Sequence, residues 1–163
     1  MERRRSLEES TVVDAPPAVV YRLVSDLRNM GRWSPECRAV WLPRPPARAG
    51  SRFVGINRRG PFLWPTLGRV HRVREDREFV FDISAFGLPI ARWGYRFEPE
   101  GTGTRLTEFW QDLRTDGRRG RAADLLGTVF AGTAPARRVA LNRAGMRTTL
   151  DRVARAATAE PRR

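Results

Sequence analysis

Glu108 stands in a stretch where every other residue on its side is apolar. Across residues 106–110, Leu106, Glu108 and Trp110 alternate with Thr107 and Phe109, and a strand turns successive side chains to opposite faces. A carboxyl on such a face must find a partner or give up its charge. Burial raises its pKa, which suits a general acid or base for enolisation or dehydration. Arginines are abundant enough to pair with it, and pairing would lower the pKa instead. The preceding stretch supplies a companion: Trp93, Tyr95 and Phe97 share a face and alternate with Gly94 and Arg96. Tyr95 could polarise a carbonyl, or it could be a core residue with a satisfied hydroxyl. Glu108 and Tyr95 are the candidate catalytic residues.

Two more polar residues fall on apolar faces. Asn57 shares its strand face with Phe53 and Gly55, and Asn142 lies on the helical stripe Val139, Asn142, Met146, Leu150, Val153 and Ala157. Two readings stay open for Asn57, Glu108 and Asn142. They hydrogen-bond one another and fix helix to sheet, or they form the polar anchors of an aromatic ligand pocket. Trp33, Trp64, Trp93 and Trp110 could wall such a pocket, with Phe53, Phe97 and Met146. Trp33, in a loop-like stretch before Ser34-Pro35, is expected at the mouth.

Other chemistries lack their residues. One Cys and one His cannot make a usual zinc site, and neither a metal nor another cofactor is expected. On strand parity His71 falls with Arg69 and Val73, opposite Thr66, Gly68 and Val70, and reads as surface. A Cys37–His71 catalytic pair is therefore rejected. Gly101-Thr102-Gly103 is a hairpin turn with no helix behind it to hold phosphate.

These side chains need a frame, and the chain spells one out. Residues 7–14 are β-branched enough for a strand. Pro16-Pro17 then opens a helix over 18–27, capped by Asp14 or a neighbour, and a short helix or turn covers 28–33. Strands follow at 37–42, 52–57, 63–73, 79–84, 91–97 and 104–113, joined by short turns without helical crossovers. That order predicts an antiparallel meander. Residues 116–134 suggest a short mobile helix, and Pro135 opens a long amphipathic one running to about residue 157. A twisted sheet curled around one helix cannot close at its open end, so a cavity is expected there. The class is α+β, a single domain over residues 1–163 with frayed ends at 1–6 and 158–163.

The chain resembles the START-like or SRPBCC superfamily with the helix-grip fold, in its polyketide cyclase/dehydrase-like branch. The resemblance rests on Val13-Asp14-Ala15-Pro16-Pro17, Ser25-Asp26-Leu27 and the stretch from Met30-Gly31-Arg32-Trp33 to Cys37. It continues through Phe53-Val54-Gly55-Ile56-Asn57-Arg58, Trp93-Gly94-Tyr95-Arg96-Phe97-Glu98-Pro99, Gly103-Thr104-Arg105-Leu106-Thr107-Glu108, and Asn142 to Leu150. It implies a small apolar, aromatic or polyketide-like ligand, bound or cyclised and dehydrated. A lipid or quinone carrier is the alternative, because fold alone does not choose between them.

The net charge is +13, and all 31 basic residues are arginine. Nucleic-acid binding would use such a charge. However, the complete absence of lysine points to compositional bias and a solvated basic surface, and specific nucleic-acid binding is not expected. Leu125, Leu126, Val129 and Phe130 beside Arg118, Arg119 and Arg121 would suit peripheral contact with an anionic membrane through residues 118–130. The lone cysteine, the lack of an apolar run behind the basic N-terminus and the lack of a membrane span lead to a cytoplasmic expectation. A monomer or homodimer fits equally.

Overall fold

Period-two alternation with β-branched and aromatic residues recurs from Ser6 to Asp112, broken by the apolar 3.6-residue stripe after Pro16-Pro17 and by the Pro- and Arg-rich loop at residues 42–51. A computed structural model describes residues 6–160. The strands are β1 (Ser6–Val13), β2 (Cys37–Trp41), β3 (Arg52–Arg59), β4 (Phe62–Arg74), β5 (Glu78–Ala85), β6 (Leu88–Glu100) and β7 (Gly103–Asp112). They form one antiparallel sheet in the order β1-β7-β6-β5-β4-β3-β2. The helices are α1 (Pro17–Ser25), α2 (Met30–Trp33, entered through a 3-10 turn at Leu27–Asn29), α3 (Arg118–Ala131) and α4 (Pro135–Ala159). This is the helix-grip arrangement that the resemblance implied.

The helix starts differ from expectation in one respect. The N-cap position of α1 is Pro16, which has no side-chain acceptor; its carbonyl accepts from the amides of Val19 and Val20. Asp26 is the residue that caps, accepting from the Arg28 amide at 3.1 Å ahead of the 3-10 turn. β1 already includes Ser6 and α4 runs to Ala159, so both elements reach into the ends expected to fray. Residues 1–5 and 161–163 of those ends lie outside the described residues.

Leu150, Val153 and Ala157 of α4 pack with Val20, Leu23 and Val24 of α1 and with Phe79, Phe81 and Phe97 from the sheet. A smaller cluster of Leu7, Ala91, Trp110 and Met146 lies further along α4. Beyond it α3 lies against β4, β6 and α4. Gly117 (φ 110°) and Gly132 (φ 62°) bracket α3 in backbone conformations that side-chain-bearing residues avoid. Among the described residues, no helix is long and apolar enough to cross a membrane.

His71 is exposed, as parity predicted, but it occupies a β-bulge between Val70 and Arg72. The extra residue reverses the alternation. Val73 therefore packs against the core and does not stay on the His71 face.

At the cross-strand pair Phe53–Gly68, the Phe53 ring lies over the glycine and meets Phe81 edge-on at 5.6 Å between centroids. A Cβ at position 68 would overlap that ring. Gly68→Ala is expected to cost about 1–3 kcal/mol through overpacking, read as a lower urea midpoint at unchanged m-value. An unaltered midpoint would show that the ring moves aside freely.

Candidate functional site

The gap between sheet, α3 and α4 is a cavity of about 620 Å³. Register explains which side chains reach it. β6 and β7 pair Trp93 with Trp110, Tyr95 with Glu108 and Phe97 with Leu106 on the concave face. The first two pairs border the cavity. The third sits deeper, beneath α1, where Tyr21 closes over Phe97 edge-on at 5.4 Å.

Tyr95 donates its hydroxyl hydrogen bond to Oε1 of Glu108 at 2.9 Å. Both side chains are almost fully buried. The other carboxyl oxygen, Oε2, has no hydrogen-bond partner among the described residues. Among the described residues no arginine reaches Glu108, so burial dominates and raises its pKa to about 8, with the Tyr95 hydrogen bond opposing only in part. Burial and the adjacent carboxyl push the Tyr95 hydroxyl well above its ordinary range. The pair at neutral pH is therefore a carboxylic acid and a neutral phenol.

Asn57, Glu108 and Asn142 do not satisfy one another. Asn57 donates to Thr66 Oγ1 at 3.1 Å, and Glu108 is held only by Tyr95. No side-chain hydrogen bond joins Asn142 to the described residues. All three border the cavity, together with Phe53, Trp64, Trp93, Trp110 and Met146.

Two expected lining residues lie elsewhere. Phe97 is core, because its pair falls under α1. Trp33 is core as well, only 3% exposed and absent from the mouth. It ends a helical turn, not a loop, so its indole points inward and donates to the Leu23 carbonyl at 3.2 Å.

The cavity also has charged groups that the linear pattern did not single out. At one side of the opening, Glu36 accepts hydrogen bonds from Arg59 of β3 and Arg138 of α4, the latter at 2.6 and 3.3 Å. Arg59 also bonds Thr133, between α3 and α4. On strand parity Arg59 continues the inward set Phe53, Gly55, Asn57. Extending that strand two residues would have found it, whereas Glu36 and Arg138 gave no local signal. At the other side, Arg114 joins Asp112 at 2.5 Å and Asp124 of α3 at 2.7 Å, tying α3 to the end of β7. Cys37 borders the cavity as a thiol, its pKa pushed to about 11 by burial. Among the described residues, no cluster of His, Cys, Asp or Glu is arranged to hold a metal ion.

This geometry defines a class: helix-grip proteins with a partly covered cavity between sheet and helices. The chain belongs to the family described as polyketide cyclase / dehydrase and lipid transport, whose model matches residues 4–158. A polyketide-cyclase-like protein of Corynebacterium glutamicum has a similar structure, at 26% identity and a TM-score of 0.64, covering 97% of this chain and 94% of that one. The Zhui aromatase/cyclase of a Streptomyces species superposes with a TM-score of 0.68 at 14% identity, covering 96% of this chain and 94% of its own. The di-domain ARO/CYC protein BexL gives a TM-score of 0.68 at 19% identity, covering 97% of this chain and 51% of its own. The last two likenesses show the fold alone. No curated protein sequence matches the chain.

The pKa of Glu108 ties stability to pH. Its folded value, about 8, lies above the ordinary 4.5. Between those limits the native state binds the extra proton, so stability falls as pH rises. The slope approaches about 1.4 kcal/mol per pH unit. Glu108→Gln should remove that slope, seen in urea unfolding between about pH 5 and pH 8. Parallel profiles for variant and wild type would mean an ordinary carboxyl.

Proposed function

We propose that the cavity binds a small hydrophobic molecule of aromatic or polyketide-like character and that Glu108 acts on it as an acid in cyclisation or dehydration. The observation that carries this reading is a buried carboxyl, neutral at pH 7, with Oε2 unpartnered beside an aromatic-walled cavity. The volume falls in the usual range for small-molecule sites. Trp64, Trp93 and Trp110 offer faces for a planar ring. Asn57 and Asn142 supply polar anchors.

Tyr95 occupies Oε1, which leaves Oε2 as the oxygen available to carry the acidic proton. In ring closure, an enol carbon of the ligand forms a bond to a carbonyl carbon, and the carbonyl oxygen takes the proton from Glu108. The carboxylate then recovers a proton from the enol oxygen. In dehydration, Glu108 protonates the departing hydroxyl, which leaves as water. The carboxylate removes the neighbouring C–H proton, and the acid is restored. A pKa near the working pH suits a group that gives and takes one proton in each cycle. Tyr95 holds the carboxyl in place and, as a donor, eases its brief negative charge.

A second reading, a lipid or quinone carrier without chemistry, draws support from α3. Leu125 and Val129 are 64% and 57% exposed, and Arg118, Arg119 and Arg121 are exposed on the same helix. That combination suits an anionic membrane surface. The side chain of Phe130 lies outside the described residues. Flotation with anionic vesicles that survives charge reversal of the three arginines would count against this reading.

Gly127 of α3 borders the cavity, and a Cβ built there meets nothing within 4 Å. Gly127→Phe should therefore extend a ring from an open position on α3 into the ligand space, and helix propensity should not suffer. Titration with 2-naphthol is expected to quench tryptophan fluorescence in the wild type and to fail in the variant at equal thermal stability. Quenching of equal strength in both would place the probe outside the cavity.

A further inference from the structure

We propose that the ligand of this cavity carries an anionic end group, a carboxylate or a phosphate, held at the opening by Arg59 and Arg138. The inference rests on the binding reading above and names the ligand class for that site. Two guanidinium groups converge on one carboxylate, that of Glu36. Two cations therefore share one anion at this side of the cavity.

The opposite side is charge-matched: there Arg114 faces two carboxylates, Asp112 and Asp124. Among the described residues, unpaired arginines such as Arg52, Arg69 and Arg77 occur elsewhere on the surface, so the surplus by itself points nowhere. The specific feature is two part-buried guanidinium groups sharing one carboxylate on the cavity wall.

Chemistry supports the assignment. A guanidinium has five N–H donors in a fixed fork. Arg138 spends one from each terminal nitrogen on Glu36, and Arg59 divides its two between Glu36 and Thr133. Each keeps donors unspent while its side chain is only about one-quarter exposed, at 26% and 24%. Carboxylate and phosphate oxygens fit that fork in bidentate fashion. Glu36 would hold the two arginines in position while the cavity is empty and would share them once the ligand enters. The ligand would then lie with its apolar body among the tryptophans and its anion at the rim.

The test compares 2-naphthylacetic acid, its methyl ester and 2-naphthyl phosphate by calorimetry at low salt. Wild type should bind at least one of the anions roughly tenfold tighter than the ester, the worth of one charge-assisted hydrogen bond, and the preference should shrink with added salt. The triple variant Arg59→Gln, Glu36→Gln, Arg138→Gln removes the cluster without leaving an unpaired charge. It should lose the preference and keep the affinity for the ester. The better anion distinguishes a carboxylate tail from a phosphate-bearing one. Equal binding of acid, phosphate and ester by wild type would overturn this inference and leave the cavity reading intact. So would a preference that survives in the triple variant. Failure of all three to bind would overturn both.

Discussion

A single helix cannot cover the concave face of a seven-stranded sheet, and this shortfall shapes the molecule. α4 meets the sheet closely where α1 and α2 help it, so residues such as Val20, Phe79 and Val153 lose all contact with water. Further along there is no second helix of comparable length, and the sheet keeps curving. The resulting space of about 620 Å³ is open enough for a ligand and too wide for side chains alone to fill. α3, set between two glycines of positive φ and tied down by Arg114–Asp124, covers it only in part.

The same geometry gives Glu108 its character. A carboxylate one strand-turn away, on the convex face, would meet solvent or arginine and remain charged. Glu9, the partner of Glu108 across β1 and β7 on the same face, sits at the sheet edge, where Arg143 and Arg147 reach it. Glu108 instead meets the Tyr95 hydroxyl and apolar neighbours. With no cation nearby, losing water outweighs one hydrogen bond, and the neutral acid is favoured. An inner pole that is neutral and a rim that is cationic give the cavity a direction, which a featureless apolar pocket would lack.

Much of this was legible in the linear pattern. Alternation alone identified the inward sets of β6 and β7, because a strand has only two faces and one was apolar; the register that pairs Tyr95 with Glu108 and Trp93 with Trp110 came from the fold. The order of strands and helices pointed to the helix-grip arrangement. Parity was less reliable wherever the backbone departed from regularity. The bulge at His71 moved Val73 to the core side, and Trp33, expected at the mouth, points inward from the end of the short helical turn. Phe97 had the correct face but the wrong depth. Alternation says which side a residue points to and nothing about whether a cavity or a helix waits there.

By itself, then, the sequence determined the secondary elements, the apolar face of each, and the presence of a carboxyl and a phenol on the buried side. These depend on neighbours within a few residues, where backbone geometry is rigid. Tertiary structure decided the rest. Among the described residues it kept Glu108 from every arginine, gave Asn57 to Thr66 and left the Asn142 side chain without a hydrogen bond. It also brought Glu36, Arg59 and Arg138 together from a loop, a strand end and a helix. Such meetings depend on how far the sheet curves before α4 and α3 reach it. That distance is set by the packing of the whole core, and no local spacing encodes it.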